Sequence, residues 1–396
     1  MTPESIIING TLFTHLELVR ASFKGHFFNL FEVKHRLNGA VCVRCGNFSS
    51  SGYDKRLITV KDAPIRGKTI LLKIHKRRYF CKTCKRVFSE SIEGIMPRRR
   101  TTQRFRRSLL WAAENFTDLG RVRRAYHCSN GLIFKILYEQ LELKLRERAN
   151  ESWPTTVGID EHHFKKAKGQ GKREFVSMFV DYNNKRLKEV VHGKSHEELW
   201  NSLGHIEGRE NVKNAICDLA DSYKSFIQGY FPNAEITADK FHVLRLLTPA
   251  INRRRKEITG DKRTNPVRRL LLKNNCNLEY YERTALWRWL RENPDLKEIY
   301  EFKEALSRFY RIRGYNKAAW VLDRIIQQMT LSKLPEIKTL RRTLEKWKIQ
   351  ILNYFKFRLT NARTEGYNNV AKVIKRRSYG FRNFKNYRLR LLSACC

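Results

Sequence analysis

The sequence predicts a multidomain α/β protein: small basic modules first, then a mixed-sheet core interrupted by a long all-helical insertion. Three observations predict it. Two short apolar runs, Thr155–Glu161 and Val212–Leu219, each read as a strand that delivers a carboxylate, Asp160 and Asp218, to its end. From about Phe241 to Leu359 strand signals nearly vanish; then Thr360-Asn-Ala-Arg-Thr-Glu365 opens a helix with a third carboxylate. Ahead of the core stand two C-x-x-C pairs, Cys42/Cys45 and Cys81/Cys84. Carboxylates at two strand ends and one helix start, brought together by folding, form a two-metal site for phosphodiester chemistry.

Length and charge bound the rest. A chain of 396 residues with 41% hydrophobic residues has enough apolar material for several cores. Lys and Arg number 80 against 39 Asp and Glu, a net charge of +41. Such a chain repels itself unless a polyanion neutralises it, and phosphate backbones are the common polyanion. A ribosomal or membrane-surface protein is the alternative. The start, Met1-Thr-Pro-Glu-Ser-Ile-Ile-Ile-Asn, has no basic head followed by a long apolar run, so no signal peptide is expected. No run approaches the ~20 apolar residues of a spanning helix. The expectation is a cytoplasmic protein with no membrane partner and with reduced cysteines. Cys128, Cys217, Cys276, Cys395 and Cys396 are scattered and read as buried or idle thiols.

In chain order, residues 1–40 mix apolar and basic residues without a clear period and read as a small sheet or helix packed on the next segment. Cys42-Val-Arg-Cys45 and Cys81-Lys-Thr-Cys84 each place two thiolates on a tight turn, and two such knuckles complete a four-cysteine zinc site. The gap between them holds strand-like Leu57-Ile-Thr-Val and Thr69-Ile-Leu-Leu-Lys-Ile, which makes a zinc ribbon; redox C-x-x-C pairs would need a βαβ context that is missing. This first segment spans 1–96 and carries one structural Zn2+.

Residues 97–150 come next as a helical DNA-binding domain. Apolar residues recur near 3.6 spacing at Phe105, Leu109, Leu110 and Ala113, and again at Leu132, Ile133, Ile136, Leu137 and Leu141. Between them, a short helix with Arg121, Arg123 and Arg124, a Cys-Ser-Asn-Gly turn and a second helix make a candidate helix-turn-helix. Ser129 or Asn130 would cap the second helix, whose first turn would approach base edges. An ordinary helical linker is the alternative.

The core is assigned to 151–245 and 355–396, with the helical insertion at 246–354. Expected strands are Thr155–Glu161, Lys172–Asp181, Leu187–His192, Val212–Leu219 and Ala234–Ala238, with a hairpin turn at Asp181-Tyr-Asn183-Asn184. Ser195–Leu203 and Asp221–Tyr230 read as helices. The resulting order β-β-β-α-β-α-β-α is ribonuclease H-like, with its last helix postponed. In the insertion, Tyr280–Glu292, Leu296–Ile312, Asn316–Thr330 and Glu336–Leu352 read as helices. Trp287 and Trp289 could stack on an unpaired base, though core packing is the better reading for at least one of them.

Glu365 shares a helix face with Asn369, Lys372 and Arg376, at steps of four, three and four. One acid on a basic face makes sense where metal and phosphates meet. Asp181, Asp221 and Asp239 compete with Asp218 for second place: Asp181 lies at a hairpin turn, Asp221 reads as a helix cap, and Asp239 begins a D-x-x-H motif ending at His242.

Gly158-Ile-Asp160-Glu161, Asp218 followed by Tyr223, Asp239-Lys-Phe-His242-Val, Asn361-Ala-Arg-Thr-Glu365-Gly-Tyr-Asn-Asn and Arg376-Arg-Ser-Tyr-Gly-Phe-Arg-Asn together resemble the ISL3 family of bacterial insertion-sequence transposases. The four-cysteine pattern and the candidate helix-turn-helix fit the same family, and the match covers nearly the whole chain. The resemblance implies a DDE transposase with a ribonuclease H-like core, acting on double-stranded DNA at element ends and target sites. It implies Asp160, Asp218 and Glu365 as ligands of two Mg2+ or Mn2+ ions. It implies Asp239 and His242 as support for the fold or the DNA, and a nucleoid-associated homodimer or higher oligomer. Cys217 stands where the family often has Met; it is small and apolar, so little changes. Two rivals remain. A DNA-binding regulator with a dead core predicts loss of one acid, and none is missing. A cellular ribonuclease H-like nuclease would cut without joining.

Overall fold

The computed structural model describes residues 15–24, 28–65, 67–116, 118–166, 173–260 and 266–396. The fold is mixed α/β, in two compact units. One takes the described residues up to Leu145 with Arg377–Tyr379, the other Arg146–Arg376 with Gly380–Cys396. The expectations on the first nine residues lie outside the described residues, as does Lys172.

The first unit is built on a five-stranded sheet of β1 (Leu16–Lys24), β2 (Phe28–His35), β5 (Gly52–Ile65), β6 (Lys68–Cys81) and β7 (Arg86–Ser89). Its order is β1-β2-β6-β5, with β7 paired to β6. Among the described residues before residue 40, β1 pairs antiparallel with β2, which joins this sheet by a parallel pairing with β6. The two strands expected between the cysteine pairs are the middles of two 14-residue strands. Alternate residues of β6, Ile70, Leu72 and Ile74, are buried with Leu16, Phe31, Val33 and Val60, as period-two burial of one face requires. A two-stranded ribbon, β3 (Ala40–Val41) with β4 (Phe48–Ser49), carries the first cysteine pair.

Three helices come after the sheet: α1 (Gln103–Asn115), α2 (Leu119–Tyr126) and α3 (Asn130–Arg146). The Asp118 side chain caps α2 by accepting from Arg121 N, and α2 ends on His127 in the left-handed region at φ 43°. Ser129 Oγ then accepts from Leu132 N at 3.3 Å and caps α3.

The second unit holds β8 (Thr156–Lys166), β9 (Arg173–Asp181), β10 (Arg186–His192), α4 (His196–Leu203), β11 (Asn214–Cys217), α5 (Asp221–Tyr230), β12 (Glu235–Ala238) and α6 (Lys240–Arg245). Seven helices come next: α7 (Thr248–Thr259), α8 (Pro266–Leu272), α9 (Tyr280–Arg291), α10 (Pro294–Phe309), α11 (Tyr315–Gln328), α12 (Pro335–Lys346) and α13 (Lys348–Phe357). The chain closes with α14 (Ala362–Arg377) and α15 (Phe384–Ala394). The sheet order is β10-β9-β8-β11-β12, antiparallel on the β10 side and parallel from β8 to β12.

One apolar core runs from Trp153 and the inward residues of the sheet into the helices, through Leu286, Ile299, Leu322 and Leu344 to Phe355. The helix α13 is tied to the edge strand, where Asn353 Nδ2 donates to Ile236 O at 2.8 Å. Trp287 and Trp289 are both half-buried against this core, and Trp287 packs edge-on to Tyr300. Core packing therefore accounts for both.

Gly158, Asp160 and His162 alternate onto one face of β8, while Val157 and Ile159 enter the core on the other. On the Gly158 face the backbone is approached closely. A Cβ there would lie 2.4 Å from Tyr182 Cε2 and 2.7 Å from Thr364 Oγ1. Tyr182 is itself fixed, its hydroxyl donating to Thr360 O at 2.8 Å. Gly158→Ala is therefore expected to destabilise this unit by ~1–3 kcal/mol through overpacking. A urea titration followed by circular dichroism measures it; an unchanged midpoint would mean that α14 is not seated so tightly.

Candidate functional site

Register decides which side chains meet. In the parallel pairing of β11 with β8, Ile216 stands beside Gly158, so two residues on, Asp218 stands beside Asp160. In the pairing of β11 with β12, Cys217 stands beside Ala238, so one residue on, Asp218 stands beside Asp239. Three neighbouring strands, ~4.8 Å apart, thus each present an aspartate at the same level. β8 does not stop there: it continues beyond the expected end at Glu161 to Lys166, paired with β9. Asp160 lies where its parallel neighbour ends, which opens the sheet beside it.

Crowding marks this place electrostatically. Asp160 is buried, and burial, with the charge of Asp218 next, pushes its carboxyl up to about 7. His242, on α6, faces the other two acids. Its Nδ1 lies 2.9 Å from Asp218 Oδ1 and 2.9 Å from Asp239 Oδ2. Those neighbours, Asp218 first, raise its pKa to about 10, so the ring is an imidazolium near neutral pH. Its one Nδ1 hydrogen is aimed at Asp239, which leaves Asp218 Oδ1 buried without a hydrogen bond. Asp239 has a second donor, Asn361 N at 3.1 Å. Asp239 is therefore satisfied by protein groups, while Asp160 has only two neutral donors, Glu161 N and Asn368 Nδ2, and Asp218 shares the His242 charge but keeps Oδ1 without a hydrogen bond. Buried oxygen donors in that condition fit a hard divalent cation such as Mg2+ or Mn2+.

The helix α14 is laid along this face of β8. Asn361 Nδ2 donates to Ile159 O at 3.2 Å, and Asn368 Nδ2 donates to Asp160 Oδ2. Glu365 lies one turn before Asn368, half-exposed, and its Oε1 pairs with Arg245 Nη1 at 3.3 Å. The structure groups Asp218, Asp239 and His242 within ligand distance of one another, and both Asp160 and Glu365 stand outside that group. Lys372 and Arg376 continue the exposed stripe of α14 beyond Glu365.

In the first unit the four cysteines come together. The sulfurs of Cys42, Cys45, Cys81 and Cys84 all lie within 4.8 Å of one another, with Cys45 Sγ 3.6 Å from Cys81 Sγ. Tetrahedral zinc at ~2.3 Å from each sulfur spaces the sulfurs by ~3.8 Å, so the cluster fits one Zn2+. The first knuckle turns through Gly46 at φ 76°, whose N–H donates to Cys42 O at 2.9 Å. Backbone N–H groups of Arg44 and Cys45 hold the Cys42 thiol down to about 7, while Cys45 beside it pushes Cys84 up to about 12.

Arg121, Arg123 and Arg124 are all exposed on α2, and Asn130 is exposed at the start of α3.

Several side chains escaped sequence reasoning. Asn368, not Asn369, reaches Asp160, because one step along a helix rotates a side chain by ~100°. Arg245 could not be paired with Glu365 across a separation of 120 residues. Asp221 does not cap α5 as expected. It occupies the first helical position, Ala220 is the cap residue with no side-chain bond, and the Asp221 carboxylate pairs with Lys346. Asp239, expected as a supporting residue, stands at the same level as Asp218 and pairs with His242.

Two family models match the chain. A family model described as a transposase, of the ISL3 group, matches residues 157–391. A second, described as the zinc-finger of transposase IS204/IS1001/IS1096/IS1165, matches residues 39–84. The transposase for insertion sequence element IS1001 of Bordetella parapertussis is 23% identical over 367 residues, 89% of this chain and 88% of that protein. The transposase for insertion sequence element IS1557 of Mycobacterium tuberculosis is 23% identical over 259 residues, 57% of each chain. A stretch of 106 residues, 26% of this chain, is 33% identical to a Lactococcus lactis protein described as an ATP-dependent protease, over 32% of that protein.

The purified full-length chain is expected to contain one Zn2+, read by atomic emission. Cys45→Ser should lose it, and the thermal transition of the first unit should fall or disappear, since metal binding and folding are coupled there. Metal-free protein with an unaltered melting curve would show that the four thiols need no ion.

Proposed function

This chain belongs to the ISL3 family of transposases, and we propose that it is the enzyme of a bacterial insertion sequence that binds its element's ends and cuts and joins DNA at Asp160, Asp218 and Glu365. The observation that carries the reading is the register that sets Asp160 beside Asp218, with the Asp160 carboxyl raised by burial and by Asp218 and with α14 docked against Asp160. The core is read as ribonuclease H-like: three antiparallel strands, two parallel ones, and a final helix delayed by helices. No helix among the described residues is long and apolar enough to cross a membrane.

Each residue then has a task. Asp160 and Asp218 would hold a divalent cation, and Glu365 would supply the third carboxylate from α14. Two Mg2+ or Mn2+ ions bound there would supply Lewis-acid activation of the scissile phosphodiester and of the attacking water or 3′-hydroxyl. In the structure Glu365 is held by Arg245, so its turn towards the strand ends frees that guanidinium for a phosphate. Lys372 and Arg376 on the same stripe offset phosphate charge near the site. Asp239 and His242 support the centre: His242 neutralises part of the acid charge, and Asp239 anchors Asn361 at the start of α14.

The zinc ribbon is structural in this reading. The helices α2 and α3 act as a helix-turn-helix, with Arg121, Arg123 and Arg124 on phosphates and the first turn of α3, from Ser129 and Asn130, at base edges. The net charge of +41 supports a double-stranded DNA partner for both element ends and target. The joining of two ends calls for a homodimer or higher oligomer on DNA.

Asp160→Asn, Asp218→Asn and Glu365→Gln are each expected to reduce Mg2+-dependent cleavage and strand transfer together by orders of magnitude, with binding of end DNA retained. Asp221→Asn should stay near wild type, because it removes one exposed ion pair with Lys346. Labelled end DNA in a cleavage and binding assay reads all four. Full activity in Glu365→Gln would overturn the three-carboxylate reading. Cleavage without joining in the unmodified protein would favour a nuclease.

A further inference from the structure

Asp160 is held on one side by a line of side chains that ends far from the strand ends. The Tyr387 hydroxyl on α15 lies 2.5 Å from His162 Nε2. The ring of His162 is two residues along β8 from Asp160 and on the same face. Its other nitrogen, Nδ1, is buried without a hydrogen-bond partner, and so is Asn368 Oδ1. Both side chains lie against Asp160, Asn368 by its amide and His162 two residues along the same face of β8, and the Asn368 amide acts on the His162 ring. Asn368 Nδ2, the other end of that amide, donates to Asp160 Oδ2.

We infer that Tyr387, His162 and Asn368 form a positioning relay that fixes the Asp160 carboxylate for cation binding. The chemistry of each group sets one direction. A tyrosine hydroxyl donating to Nε2 leaves the hydrogen of a neutral imidazole on Nδ1. The acceptor this hydrogen would take is Asn368 Oδ1, itself buried without a donor. With its oxygen turned to His162, the Asn368 amide can present only its NH2 to Asp160. One Asp160 oxygen is thereby tied to α14 and the other to the Glu161 backbone N–H at 2.7 Å. The remaining lone pairs of both oxygens are left for a cation. Without the relay the Asn368 amide could flip and set oxygen against carboxylate oxygen. Partners behind metal ligands commonly change metal affinity by ~10–100-fold.

The inference rests on the reading of Asp160 as a cation ligand, so the test separates the two. Full-length protein, free of DNA, is titrated with Mn2+, and the free-ion signal is read by electron paramagnetic resonance. The unfolding midpoint and the affinity for end DNA are measured beside it. Asn368→Leu, of similar size and without either hydrogen bond, is expected to weaken Mn2+ binding at least ~10-fold with DNA affinity kept. Tyr387→Phe and His162→Phe, which act from further away, should weaken it by smaller factors, His162→Phe the more. A merely structural role would lower the unfolding midpoint and leave Mn2+ affinity alone. Asp160→Asn is the control. If it weakens Mn2+ binding while Asn368→Leu and His162→Phe do not, the relay is overturned and the ligand reading stands. If Asp160→Asn itself binds Mn2+ as the unmodified protein does, the ligand reading falls and takes the relay with it. Should Asn368→Leu fail to fold, the His162→Phe and Tyr387→Phe pair decides in the same way.

Discussion

Three carboxylates at one level of a sheet repel one another, and much of the second unit answers to that repulsion. Asp160, Asp218 and Asp239 are brought there by strand register, which the protein cannot relax without losing the sheet. The response is uneven. Asp239 receives two donors, one of them an imidazolium, and becomes part of the frame. Asp218 keeps one buried oxygen with no hydrogen bond, and Asp160 has its carboxyl raised into the neutral range. The unevenness divides one acidic cluster into a supported half and a half that wants a cation. A fully satisfied cluster would be stable and inert; here part of the folding stability is withheld and left for a ligand to supply.

The helix α14 is the means by which distant sequence reaches that centre. It returns after the helices α6 to α13, and Asn361 just before it, with Thr364 and Asn368 on its inward stripe, is spent on docking to β8. The next stripe, with Glu365, Lys372 and Arg376, remains outside. Docking is close because Gly158 has no side chain to keep the helix away. Packing and chemistry are thus adjacent on one helix, a turn apart, and the pairing of Glu365 with Arg245 leaves the third acid parked at the edge of the site.

Much of this was legible in the residues. The two strands that carry Asp160 and Asp218, the helix that begins near Glu365 and the two cysteine knuckles each declare themselves through local pattern, because apolar runs, turn spacing and thiol pairs are short-range features. What stayed hidden depends on register and rotation. The D-x-x-H pattern marks Asp239, but only the ladder between β11 and β12 sets it beside Asp218. Asn368 and Asn369 look equivalent until the helix phase is known, and only one faces Asp160. Asp221 has the composition of a helix cap, but it falls one position inside the helix and is drawn to Lys346 instead. His162 and Tyr387 are separated by 225 residues, and no local period links them.

The central claim is that Asp160, Asp218 and Glu365, rather than the Asp218–Asp239–His242 group, hold the divalent ions. Anomalous diffraction from crystals soaked in Mn2+ tests it most directly. The account predicts manganese peaks in contact with Asp160 and Asp218, with Glu365 turned away from Arg245 to join them and His242 still on Asp239. A single peak ligated by Asp218, Asp239 and the His242 ring, with Glu365 still paired to Arg245, would contradict it.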